Sequence, residues 1–543
     1  MSKRKLSKSS GNNSRENTDI KSLAMQIQAD LKAEAFERAL TAAQTLEAQL
    51  APGTAQTEIY LASIVWQVRA KQGLKADSEE VAKRYATEAE RLGDFPRAVQ
   101  GHRILAQSYI DAGRWTVASE TLETALNLAI SHNIGRQALE ILMHISAVEL
   151  KMSHYCEAAD YLSRAMHAVG QMPEFRDIRA AGHRQLCELY DKTGDGQNAC
   201  DALEAALEAH TDDPEELWMI GILQSRFQMR SGDADGACER LQKIEADIRK
   251  AVAAGKAREE QRRMVGLERA QALWNHGEHD AAEALLDEIC EGGSDAVRQA
   301  CALTAFLWAI EKGKPGADPD AACRDFSEIS AKMENTEIEI ALAAALGQAG
   351  LEIERGHFEP TLESLLHIAQ TAAFTQLIPF ATRALLLRGE ISEALGDFEA
   401  AAQDGHDACE TFVAHVDDVS AKCAACLMLR AQFARARKDD SNAVMDEAEQ
   451  KAFVQLLEDF ERYVAHHHIE GMLDLGLGLA KIAEMTGDRE LEAKLLAKVG
   501  DTLEGRQMAF RQMRYAQLRG RLENDETMLA CAREIASLNG FAL

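Results

Sequence analysis

Proline is scarce in this 543-residue chain, eight in all, and aromatic residues make up only 5% of it. Both shortages count against β-sandwiches and propellers, which draw on β-branched, aromatic and turn residues. They leave helices, which the alanine-rich composition favours. No stretch approaches the ~18 consecutive apolar residues of a membrane span, so no membrane association is expected. Cysteines number eleven, an odd count scattered without disulfide-framework spacing. Cys187, Cys200, Cys238 and Cys301 stand beside Ala or Leu on apolar stripes and read as reduced core side chains, which points to the cytoplasm. Positive charge is also short, with 60 Lys and Arg against 88 Asp and Glu and a formal net charge of −28. Such a field repels phosphate backbones and anionic lipid, so nucleic acid is not an expected partner.

Enzyme signatures are missing as well. There is no Gly-x4-Gly-Lys-Ser/Thr loop, no Gly-x-Ser-x-Gly elbow and no His-Glu-x-x-His helix, and Gly476-Leu477-Gly478 lacks the third glycine of a dinucleotide turn. No catalytic residue and no cofactor is therefore expected. Residues 1–19 carry Lys3, Arg4, Lys5, Lys8 and Arg15 among Ser, Asn and Gly with no apolar core behind them. This span reads as a disordered basic leader and not as a secretory signal.

The chain is far longer than the ~100–150 residues of a typical domain, so it holds several domains or a repeat array. A repeat is visible. Leu105-Ala106, Tyr109 and Gly113 are followed by Trp115, Ala118, Leu122 and Ala125, which is a helix, a turn glycine and a second helix with one apolar face. The same order recurs around Ser153, Gly194, Gly232, Gly277, Gly356 and Gly396, with weaker copies at Glu34, Gly73, Gly316, Lys438, Gly487 and Asn524. Turn positions 113, 153, 194 and 232 are spaced by 40, 41 and 38 residues, and 316, 356 and 396 by 40 and 40.

The run Arg388-Gly389-Glu390-Ile391-Ser392-Glu393-Ala394-Leu395-Gly396-Asp397-Phe398-Glu399-Ala400-Ala401, like 105–125, resembles the tetratricopeptide repeat (TPR). The family unit is 34 residues; a period near 40 is similar to the long-helix MalT-like and Rap-like branch of bacterial regulators. The resemblance covers residues from about 20 to the end and implies an all-α solenoid of stacked antiparallel hairpins, a right-handed superhelix with a concave inner face lined by each unit's first helix. About twelve or thirteen hairpins fill the chain. Pro315 and Pro319 lie in a Pro/Gly-rich run that no helix tolerates. The expected organisation is an array over 20–312, a hinge or enlarged turn at 313–320, and a second array over 321–543 whose repeats degenerate after 435.

Matching positions to the family pattern places Gln100, Arg103, Gln107, Arg184, Glu188, Asp191, Arg226, Arg230, Gln271 and Asn275 in the groove. In the family, Lys, Arg and Asn at such places hold a peptide backbone or its terminal carboxylate, and a planar Arg fork or a Gln/Asn amide suits an extended chain. No two neighbouring units reproduce the full carboxylate clamp. His406 and Cys409, with Cys423 and Cys426, form two i,i+3 pairs on helices flanking a turn near Val416-Asp417, the spacing of a structural zinc site, although Cys423-Ala-Ala-Cys426 also fits a buried stripe. His466-His467-His468 projects its rings about 100° apart and reads as a solvated helix end. The expected function is a non-catalytic scaffold or adaptor binding a protein or peptide. The alternatives are a ligand- or peptide-sensing regulator whose superhelix changes shape, and, more remotely, a zinc- or thiol-dependent enzyme.

Overall fold

The structure is a computed structural model that describes residues 10–50, 57–74, 78–170, 175–209, 211–312, 338–506 and 508–543. Among the described residues it holds twenty-five helices in tandem and no strand. None of these helices is long and apolar enough to cross a membrane. The chain divides into two compact units, Met1–Met172 and Pro173–Leu543. The joint expected at 313–320 lies outside the described residues, as does the turn at Gly316.

In the first unit, four hairpins follow one another: Ser10–Lys32 with Phe36–Gln49, Thr57–Gly73 with Glu79–Arg91, Phe95–Asp111 with Trp115–Ser131, and Gly135–Lys151 with Tyr155–Val169. The opening helix begins at Ser10, inside the expected leader. Helix propagation adds one backbone bond for each residue fixed, so a helix anchored by the buried Ile20 and Ile27 extends back through polar residues at little cost. Residues 1–9 lie outside the described residues. Ile27, Leu46, Leu61, Ile64 and Tyr85 form the heart of this unit's core. Small residues set the spacing between its helices. Ala106, Ala118 and Ala125 are fully buried, and a Cβ on Gly101 would stand 2.7 Å from the Ala86 Cα.

In the second unit, the hairpin first helices are Arg176–Thr193, Pro214–Arg230, Glu259–His276, Asp295–Lys312, Ile338–Glu354, Ile378–Ala394, Asp418–Asp439, Ile469–Thr486 and Ala509–Glu523. A second helix is described for all but Asp295–Lys312. Beyond residue 435, where the repeat fades in sequence, Phe460, Tyr463, Leu473 and Leu496 join Phe433 in one large core. The turn expected at Lys438 falls later, because Asp418–Asp439 continues through it and the next helix starts from an Asp446/Glu449 capping box. Ala436, Arg437 and Lys438 are good helix formers, and the two cations suit the negative end of the helix dipole.

Many turns, within hairpins and between them, share one construction. Gly113 has φ 71°, its N–H bonds to the Ile110 carbonyl at 2.9 Å and the Arg114 N–H bonds to the Tyr109 carbonyl at 2.8 Å, which is the Schellman arrangement. In the Gly-Asp pairs at 93–94, 194–195, 232–233, 396–397 and 487–488, the glycine takes a positive φ and the aspartate caps the next helix, as Asp397 does by accepting from the Ala400 N–H at 3.2 Å. One dipeptide thus closes one helix and opens another. A Cβ at Gly113 or Gly396 would meet nothing within 4 Å, so replacement strains only the backbone. Gly113→Val and Gly396→Val are each expected to lower the stability of their own unit by ~1–3 kcal/mol, and Gly113→Asn by less, measured by denaturant unfolding.

Candidate functional site

The groove residues expected from sequence lie on first helices, but many of the charged ones are already engaged with the neighbouring rung. In the first unit Arg103 donates to Glu140 at 2.6 Å, Gln107 donates to Asp111 one turn along its own helix, and Gln100 is exposed. In the second unit Arg184 donates to Glu216 at 2.6 Å and to Glu188 at 2.8 Å, and Arg226 grips both oxygens of Glu268. Arg230 holds the Asp191 carboxylate from both of its own terminal nitrogens. Gln271 is exposed and Asn275 half-buried. Most of these pairs join residues about one repeat apart, so each positive fork is met by a carboxylate from an adjacent hairpin.

Asp191 and Arg230 also belong to a seam. His415 Nε2 lies 2.9 Å from the Asp191 carbonyl and 3.3 Å from its carboxylate, 224 residues away in sequence. A Cβ on Gly196 would stand 2.4 Å from the His415 carbonyl carbon, and one on Gly232 would stand 2.5 Å from the Tyr463 ring. The hairpin turns of early rungs in this unit therefore seat directly against turns of later rungs. Burial by itself would raise Asp191, but the His415 and Arg230 contacts outweigh it and hold the carboxyl well below its ordinary value.

The later first helices bring together ionisable groups that sequence reasoning did not single out. Glu393 accepts from Arg430 at 2.9 and 2.5 Å and from Lys481 at 3.2 Å. These cations overcome its burial and bring the carboxyl to about 2. Arg511 holds Asp474 at 2.7 and 2.9 Å. Arg383 is solvent-accessible although protein surrounds it, and it makes one side-chain hydrogen bond, to Ser420 Oγ at 3.0 Å, and no ion pair among the described residues. Burial pushes Glu354 up to about 8, only partly opposed by Arg514 at 3.7 Å, and raises Glu390 against Arg514 and Arg430. At that value the Glu354 carboxyl is largely protonated near neutral pH and can donate a hydrogen bond. An open guanidinium such as that of Arg383 is chemistry suited to amides and carboxylates.

The four residues with zinc-like spacing do not gather. His406 pairs with Glu410 at 3.4 Å with its side chain half exposed. Cys409 packs among Ala408, Phe412, Ala421 and Ala424. Cys426 is buried against Gly478 in the neighbouring core, and Cys423 lies on the inner side near Arg383. The i,i+3 pairs thus occupy stripes serving different layers. Burial pushes the Cys426 thiol to about 11 and the Cys423 thiol well above its ordinary value, which opposes the thiolate a metal requires. In the histidine run, His466 and His467 are exposed, but His468 is buried and caps the next helix by accepting from the Gly471 N–H at 3.0 Å.

Two carboxyls in this unit respond to pH with opposite sign. Asp191 is lowered in the folded state, so its contribution is present above its ordinary 3.8 and is lost as pH falls toward the folded value; Asp191→Asn is expected to flatten the acid limb of a melting-temperature profile. Glu354 is raised, so its contribution is full below its ordinary 4.5 and is lost as pH climbs to about 8; Glu354→Gln is expected to flatten that limb and to be most stabilising near pH 8.

No family model matches the sequence, nor does any curated protein. Many solved structures do. The chain is similar to a protein in the crystal structure of the APC/C hetero-tetramer Cut9-Hcn1, with a TM-score of 0.53 and 10% identity over 96% of this chain and 94% of that one. It is also similar to a Rap protein complexed with competence and sporulation factor, with a TM-score of 0.42 and 15% identity over 66% of this chain and 97% of that one. At 10% identity the likeness to the first is one of fold, and with the hairpins, their turns and their stacking it makes this chain an all-α solenoid.

Proposed function

We propose that the chain is a non-catalytic scaffold that binds a protein or peptide along the inner, first-helix face of its second unit. The observation that carries this reading is Arg383, a guanidinium within reach of solvent and without an ion pair among the described residues, in the field of Glu470, Asp417 and Asp474. Other rungs of the same face neutralise their arginines with carboxylates, whereas at Arg383 the fork remains for a ligand. An extended polypeptide offers carbonyls and carboxylates at the spacing such donors need. The Cut9-Hcn1 structure is a hetero-tetramer, so a solenoid of this fold does assemble with a second protein. Buried thiols such as Cys187, Cys301 and Cys426 suit a reducing compartment, and the cytoplasm is the location we adopt.

A second reading, a ligand-sensing regulator whose superhelix changes shape, draws on the seam at Asp191, Arg230 and His415. Contacts between turns 224 residues apart are a natural place for two arrangements of one unit to differ.

A photo-crosslinking side chain placed at Glu390 is expected to yield a polypeptide adduct in the native cell, and one placed at the exposed Lys494 is expected to yield none. Against the captured partner, Arg383→Glu should weaken binding by about tenfold to a hundredfold, the loss of a charge-assisted hydrogen bond. Equal adducts at both positions, or none at Glu390, would refute the inner-face reading. A scattering envelope that shifts on binding favours the regulator, and an unchanged one favours the plain scaffold.

A further inference from the structure

We infer that Asp235, His276 and His467 form a site for a divalent transition-metal ion, zinc in the first instance, that fastens the seam of the second unit. Asp235 opens the helix Ala234–Ala253, His276 ends Glu259–His276, and His467 occupies the turn between Glu447–Ala465 and Ile469–Thr486. Three hairpins thus supply one residue each, from positions up to 232 residues apart. His276 Nε2 lies 2.8 Å from Asp235 Oδ1 and His467 Nδ1 lies 3.1 Å from Asp235 Oδ2. All three ligating atoms fall within 4.8 Å of one another. A tetrahedral zinc with bonds of ~2.0–2.1 Å spaces its ligands by roughly 3.3 Å, a distance that rotation of the two rings can supply. The rings are 5.6 Å apart and tilted by 53°, and the His467 side chain is 63% exposed, so an ion has a route in.

The surroundings of His276 also fit a bound metal. Its other nitrogen, Nδ1, is buried without a hydrogen bond, and Glu278 Oε1 stands 3.2 Å away. A neutral imidazole has one proton. If Nε2 holds it for Asp235, a lone pair at Nδ1 faces Glu278; if Nδ1 holds it, a lone pair at Nε2 faces Asp235. A cation on Nε2 removes the conflict, since Nδ1–H then serves Glu278 in the carboxylate–histidine–metal arrangement common to zinc sites. The nitrogen-rich donor set suits zinc over magnesium or calcium, which prefer oxygen. Asp233 lies 3.8 Å from His466 beside the cluster and adds negative charge.

The full chain, stripped with a chelator and desalted, would be titrated with Zn2+ and, separately, Co2+. His467→Gly retains the left-handed backbone of position 467, φ 53°, and His276→Gln tests the second ligand. We expect one equivalent of zinc to be lost in each variant, a zinc-dependent rise in melting temperature in the parent alone, and a cobalt spectrum free of thiolate charge transfer. Glu278→Gln should weaken zinc by about tenfold. Unchanged stoichiometry and affinity in both ligand variants would overturn the site, as would a thiolate spectrum, which would point to the cysteines. An unshifted melting temperature in a parent that binds zinc would overturn the fastening role.

Discussion

A helical hairpin of about forty residues has two apolar faces and one partner helix, so one face always lies bare until the next hairpin arrives. This constraint governs the whole fold. It calls for small residues where helices cross, as at Ala106, Ala118 and Gly101, and for turns that reverse direction in two or three residues. The glycine–aspartate turn meets the second demand by pairing a left-handed residue with a side-chain cap. Because every rung solves the same problem, polar decoration also falls into register, and arginines on one first helix find carboxylates on the next.

The turns inside hairpins were the legible part. Gly113, Ser153, Gly194, Gly232, Gly277, Gly356, Gly396, Gly487 and Asn524 all take positive φ, and the sequence marks most of them with glycine. Turns between hairpins were harder to see, since Asn133, Gln376, Val416 and His467 adopt the same backbone without a glycine to announce it. There the stacked helices impose the conformation that the residue itself resists.

The register of the groove candidates on their helices was legible, but their contacts were not. Repeat register put Arg184, Arg226 and Arg230 on first helices, yet it could not show that Glu216, Glu268 and Asp191 would meet them from adjacent rungs. Arg383 and Glu390 carry the same register but fall in a copy whose interest to the eye was its consensus turn. The histidine run shows the limit most clearly. Three neighbours on a helix do not converge, and that argument holds; His467 meets His276 and Asp235 only because distant turns come together, which no local spacing encodes. Conversely, His406, Cys409, Cys423 and Cys426 have plausible spacing and no convergence.

The seam also changes how the second unit comes apart. An open row of hairpins has only nearest-neighbour interfaces, so it can fray from either end, rung by rung, with each step costing little more than one contact surface. Tying the turn at Gly232 to Tyr463, and Asp191 to His415, joins the first rungs of this unit to later ones far along it. Loss of a middle hairpin then strands both sides, and melting becomes a concerted event with slow, topology-limited refolding. The first unit, whose described side-chain bonds such as Arg103–Glu140 and Tyr161–Glu123 join neighbouring hairpins, keeps the looser behaviour. Amide exchange should therefore show a gradient of protection along one unit and a plateau in the other.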